Sequence, residues 1–133
     1  MTRKYLNDLG LNNELMDLED TELQKFDDEI KEYGFASYET WNLDYQFYGW
    51  LYERLKRYLD VASDVINLGY HKFEFKGKEY NQKQLIEKMI HGCELALTHD
   101  DYVWSDADLT EEERKAIHDV PYIWAIVMPA MWW

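Results

Sequence analysis

The chain is poor in several things that would have announced a function. It holds one cysteine, Cys93. A lone thiol excludes an intrachain disulfide and any metal site built on several cysteines. A reducing compartment fits best, so a cytoplasmic protein is expected. Two prolines and six glycines are too few for a flexible linker or a low-complexity tract. No internal repeat is visible. Basic residues are scarce as well, with 14 Lys and Arg against 27 Asp and Glu, a net charge of −13. Direct binding to a phosphate backbone needs clustered Lys and Arg, and is disfavoured. The longest apolar stretch, 121–133, falls short of the roughly 20 residues that a membrane-spanning helix requires. The opening Met-Thr-Arg-Lys-Tyr-Leu-Asn-Asp has no apolar segment and does not read as a secretory signal. No membrane association is expected.

Aromatic residues, by contrast, are abundant: six Trp, eleven Tyr and five Phe. Each buries about 150–250 Å² when covered. Such a composition argues for order over most of the length. Its 133 residues suit one domain, which can bury roughly two-thirds of its unfolded surface.

Charge is unevenly placed. Residues 12–32 carry nine acids against Lys25 and Lys31, a net of −7. Residues 98–133 carry eight acids against Arg114 and Lys115, a net of −6. The span 33–97 between them is nearly neutral, with nine acids and eight bases. Two acidic blocks of this kind favour a positively charged protein partner, because complementary fields steer association.

Periodicity predicts a mainly α, compact domain of four to five helices with one short β-hairpin. The first clear helix is Thr21 to Tyr33, with Leu23, Phe26, Ile30 and Tyr33 at three- and four-residue spacing. Asp20 or Thr21 can cap it and Gly34 suits its stop. A weaker helix is expected over Asn13 to Leu18. The strongest element is Thr40 to Asp60. Trp41, Tyr48, Leu51, Leu55, Tyr58 and Leu59 form one stripe there, and Leu43, Phe47 and Trp50 an adjoining one. That girth predicts a central core helix. Gly49 lies within it at a cost of about 1 kcal/mol relative to Ala, so close packing of another element is expected. His71 to Tyr80 alternates apolar and charged residues around Lys76-Gly77, which reads as a hairpin. Asn81 with Gln84 is a capping-box pattern that opens a helix through Leu97. Thr110 with Glu113 is a second, opening a helix to about His118. Pro121 then suits the first turn of a separate final helix, Tyr122 to Met128.

Several side chains are candidates for chemistry. Asp44 falls in the apolar stripe, so partial burial is expected. A buried acid is either a functional group, or a structural carboxylate near its own helix N-terminus or paired with a basic side chain across the core. Glu87, His91 and Glu94 share an arc of one helix and could ligate a metal, although that arc opposes the apolar face. Glu29 and Glu32 supply half of the acidic pattern of an all-α nucleotide hydrolase. Asp60 and Asp64 have the wrong spacing for the other half, and no phosphate loop is present. Cys93 lies on an apolar helix face, where a thiol acts as a small hydrophobe. No catalytic residue, metal site or cofactor is therefore assigned. The Trp- and Met-rich tail, 122–133, either completes the core or forms a contact surface for a homo-oligomer or a partner.

Three runs carry a resemblance: Tyr38-Glu39-Thr40-Trp41-Asn42-Leu43-Asp44, Trp50-Leu51-Tyr52-Glu53-Arg54-Leu55-Lys56, and Ile86-Glu87-Lys88-Met89-Ile90-His91-Gly92. Over residues 38–97 the chain resembles small proteins encoded by tailed bacteriophages. These share a Trp-(Asn/Ser)-Leu-Asp opening, an Arg-Leu-Lys helix and a later Met-Ile helix. The family brings no catalytic residues. The resemblance implies life inside a bacterial host and a role in modulating host machinery, including restriction, CRISPR and other defence systems.

The expectation from the sequence is a non-enzymatic binding protein that modulates or inhibits a host protein with a basic surface, in part by nucleic-acid mimicry. Carboxylates can take the place of phosphates against Arg and Lys. The contact residues expected are Asp27, Asp28, Glu29, Glu32, Asp100, Asp101, Asp106 and Asp108. The alternatives are a self-assembling structural or accessory protein and a metal-dependent nucleotide hydrolase.

Overall fold

The computed structural model describes residues 4–10, 19–99 and 108–133, the Asn7 side chain aside. They form a mainly α structure with a single two-stranded hairpin among them. The helices are α1 (Lys4–Asp8), α2 (Asp20–Tyr33), α3 (Leu43–Ala62), α4 (Gln82–Thr98) and α5 (Glu111–Val127). The strands are β1 (Lys72–Phe75) and β2 (Lys78–Asn81), and short 3₁₀ turns occupy Ser37–Thr40 and Met128–Ala130. The helix expected over 13–18 lies outside the described residues.

The central helix is α4, not α3 as the width of the apolar stripe suggested. It lies between α3 and α5, and Leu85, Ile86, Met89 and Cys93 on it are fully buried. Tyr48, Leu51, Tyr52 and Leu55 of α3 close one side of the core, and Ile117, Val120, Ile123 and Val127 of α5 the other. Leu6 of α1 completes it. The start of the α3 stripe runs past this core. Trp41 is 91% exposed and Leu43 is exposed as well. The helix begins later than expected, at Leu43, because Ser37–Thr40 winds as a 3₁₀ turn. Thr40 points its hydroxyl back to the Ser37 carbonyl at 2.7 Å.

Helix ends follow local chemistry. The Asn81 side chain accepts from the Gln84 N–H at 2.8 Å, and the Gln84 side chain accepts from the Asn81 N–H at 2.9 Å. Thr110 and Glu113 form the same reciprocal pair at α5, at 3.1 and 2.9 Å. Each box satisfies two of the backbone donors that a helix start leaves free. The α2 start departs by one residue: its cap is Glu19, whose N–H donates to the Glu22 carboxylate at 3.3 Å. Gly34 ends α2 in the left-handed conformation, with φ of 88°. Lys76 and Gly77 both take positive φ at the hairpin tip, the conformation of a two-residue turn that matches strand twist. Phe75 pairs with Lys78 across it. The Lys76 ammonium then reaches Asp119 at 2.7 Å and ties the turn to α5.

Residues 111–127 form one helix, where the sequence predicted two. Pro121 sits inside it. A proline removes the N–H that would bond four residues back, at the Ile117 carbonyl. The Tyr48 hydroxyl of α3 donates to that carbonyl at 3.3 Å. A side chain from the neighbouring helix thus compensates the break, and α5 continues.

Two glycines define how closely the helices approach. A β-carbon at Gly49 would meet Leu6 Cδ1 at 3.5 Å and Leu97 Cδ2 at 3.8 Å, ordinary contact. At Gly92 it would meet Val120 Cγ2 at 2.4 Å and the Ala116 carbonyl oxygen at 2.5 Å. The tight helix crossing is therefore α4 on α5 at Gly92, and Gly49 has room for a methyl group.

Candidate functional surface

The acids predicted to touch a partner fall in two places. Asp27, Asp28 and Glu32 are exposed on α2, a helix with no buried residue. Asp28 accepts from the Gln24 amide at 2.9 Å and remains at the surface. Asp108 is exposed just before α5. Asp100, Asp101 and Asp106 lie outside the described residues.

Glu29 is different from its neighbours. Its side chain is only 17% exposed. One oxygen accepts the Ser37 backbone N–H at 2.6 Å, and the other lies 3.9 Å from Lys25 Nζ. The hydrogen bonds from Ser37 hold the carboxyl below its ordinary titration range. Glu29 fastens the 3₁₀ turn to α2, a role that its position in an acidic run did not reveal.

Asp44 is exposed, contrary to the partial burial expected from the helical wheel. It occupies the first turn of α3, beyond the point where α4 covers the stripe. Its Oδ1 accepts the Tyr45 N–H at 2.8 Å. A carboxylate is favourable at a helix start, where backbone N–H groups point outward.

The metal candidates do not assemble. Glu87 and His91 line an open surface groove with Tyr80, Gln84 and Lys88. Glu94 turns instead toward α3 and accepts the Tyr52 hydroxyl at 3.1 Å. Asp60 accepts the Tyr5 hydroxyl at 2.7 Å. Among the described residues, no three His, Cys, Asp or Glu side chains gather closely enough to hold a metal ion. Cys93 is fully buried, and burial, with the Glu94 charge second, raises its thiol well above the ordinary range. A thiol so placed is not a ready nucleophile.

The tail divides between core and surface. Ile123 and Val127 are buried, and Trp124, Ile126 and Met131 pack against the core. Trp132 and Trp133 are 65% and 63% exposed. The residue that holds the tail is Gln82, a buried polar side chain at the start of α4. Its amide donates to the Ala130 carbonyl and to the Tyr58 hydroxyl, both at 3.3 Å, and Tyr58 donates to the Trp132 carbonyl at 3.2 Å. Nothing in the sequence points to this pin, because a glutamine after a cap reads as solvent-facing. Nearby, Trp50 meets Trp124 edge-on at 6.3 Å, and Arg54 lies over the Trp50 ring at 4.6 Å.

No helix among the described residues is long and apolar enough to cross a membrane. No protein-family model matches the chain, and no curated protein or solved structure shows significant similarity to it.

Proposed function

We propose that the protein is a small acidic binding protein of phage type that modulates or inhibits a host protein through a basic surface on that host protein. The observation that carries this reading is the placement of Asp27, Asp28 and Glu32, all exposed on a helix that contributes no buried residue to the core. Carboxylates held clear of the body can enter a basic cleft with little rearrangement of the fold. Arg and Lys that bind phosphate also bind carboxylate in paired hydrogen bonds, so a defence or nucleic-acid-handling protein is a suitable target. Such an interface weakens with salt, since exposed charges are screened over about 10 Å at 0.1 M.

The test uses the tagged full chain as bait in nuclease-treated bacterial lysate. A basic protein retained at low salt and released at high salt supports the reading and identifies the target. Retention of nothing at either salt contradicts it.

A second reading has its own support. Residues 120–133 carry no charge in a chain of net charge −13, and their two terminal tryptophans are exposed. Self-association would meet least repulsion there. Light scattering tests it: an oligomer that becomes monomeric on removal of residues 129–133 supports self-assembly, and a monomer at all concentrations rejects it.

A further inference from the structure

Helix α2 has an apolar stripe of Leu23, Phe26, Ile30 and Tyr33, with alternating steps of three and four residues. That is the a/d pattern by which one helix pairs with another. With Leu23 and Ile30 at a and Phe26 and Tyr33 at d, the flanking positions are Asp20 and Asp27 on one edge, Glu22 and Glu29 on the other. Each of these four flanking positions holds a carboxylate. Lys25 and Lys31 fall elsewhere on the helix.

The described structure covers this stripe only in part. Among the described residues, α2 packs against the Ser37–Thr40 turn. Phe26 meets Tyr38 edge-on at 5.1 Å, and Glu29 is bonded to Ser37. Both belong to the d edge. On the a edge Leu23 is half-buried, Ile30 is 44% exposed, and Asp20 and Asp27 are exposed, while Tyr33 of the d edge is 63% exposed. A helix alone in water is marginal at fourteen residues, and an amphipathic one gains most of its stability by packing.

We infer that the Leu23–Ile30 edge of α2 is the docking surface for a basic amphipathic helix of the partner, with Lys or Arg opposite Asp20 and Asp27. Charge selects this occupant. Flanking charges set partner choice in paired helices. A second copy of α2 would bring carboxylates against carboxylates, whereas a helix with basic flanks brings opposite charges together. This inference rests on the proposed function and specifies the part of the partner that is recognised.

The experiment uses the full chain and two synthetic amphipathic peptides of three heptads. Both carry Leu at a and d. One carries Lys at the flanking positions and its twin carries Glu. Binding is read by fluorescence anisotropy at low salt, and peptide helicity by circular dichroism. The Lys peptide is expected to bind and gain helicity, and the Glu peptide to bind at least about tenfold more weakly, a difference of about 1.4 kcal/mol. Ile30→Glu should weaken the Lys peptide about tenfold or more, while melting of the body is unchanged. Asp20→Lys with Asp27→Lys should reverse the preference between peptides. Equal affinity for both peptides overturns the inference. So does full Lys-peptide binding by Ile30→Glu, which would mean that carboxylates alone make the contact. In that last case capture of a basic protein from lysate would persist, so the proposed function would stand without the docking mode. Loss of that capture, with peptide binding intact, would reject the proposed function instead.

Discussion

Gly92→Ala isolates the contact that sets the spacing of the central helices. The added methyl would lie 2.5 Å from the Ala116 carbonyl oxygen and 2.4 Å from Val120 Cγ2. Val120 is fully buried and the carbonyl is backbone, so neither can swing aside as a surface side chain would. Overpacking of a filled core costs about 1–3 kcal/mol, and a backbone obstacle places this case at the upper end. Alanine in place of glycine within a helix returns about 1 kcal/mol. The net expectation is a loss of about 2 kcal/mol. Gly49→Ala provides the internal control. Its methyl would meet only side-chain carbons at 3.5 and 3.8 Å, so the propensity gain of about 1 kcal/mol should appear undiminished. The two variants make the same chemical change within helices, yet should differ in sign. Urea denaturation followed by far-UV circular dichroism measures both, provided the slope is unchanged. Thermal midpoints should separate in the same order. A Gly92→Ala chain as stable as the parent would refute the close α4–α5 crossing and the core built on it.

Other outcomes follow from single contacts. Tyr48→Phe leaves the Ile117 carbonyl without the hydroxyl that offsets Pro121, and should cost about 1–2 kcal/mol; no loss in urea denaturation would remove Tyr48 from that role. Gln82→Ala should release the tail, seen as faster amide exchange at 130–133 with helix content preserved; unchanged exchange would contradict the pin. Glu113 titrates below its ordinary value of 4.5 because its carboxylate accepts the Thr110 N–H. A depressed carboxyl contributes stability above its unfolded value, lost as pH falls through the folded one. Glu113→Gln should therefore show a smaller acid-induced loss of stability than the parent below about pH 4.5, and equal losses would remove Glu113 from that pH dependence.

The sequence disclosed the elements better than their arrangement. The α2, hairpin and α4 boundaries were legible because caps, turn residues and periodicity act locally. The breaks came where a distant group intervened. Pro121 predicts a helix start unless Tyr48, far away in sequence, covers the carbonyl that it frees. Asp44 and Trp41 lie on an apolar stripe, but a wheel carries no information on where the neighbouring helix ends. Glycine is equally silent: Gly49 drew attention as a mid-helix residue, while Gly92 makes the tight contact. Helix α1 went unpredicted because five residues hold too little pattern, although its Leu6 is buried in the core. Of the surface acids, Asp27, Asp28, Glu32 and Asp108 are exposed as expected from composition. Glu29 looked the same and is bound to Ser37, a contact that only the turn after Gly34 creates.

The central claim is that exposed carboxylates recognise a basic partner, and charge reversal addresses it most directly. Wild-type chain and the variant Asp27→Lys, Asp28→Lys, Glu32→Lys, Asp108→Lys would be used as baits side by side in one nuclease-treated bacterial lysate at low salt. None of the four is buried, so the variant should fold, which circular dichroism checks. The account predicts a basic protein held by the wild type and absent from the variant. The same protein held equally by both would contradict it.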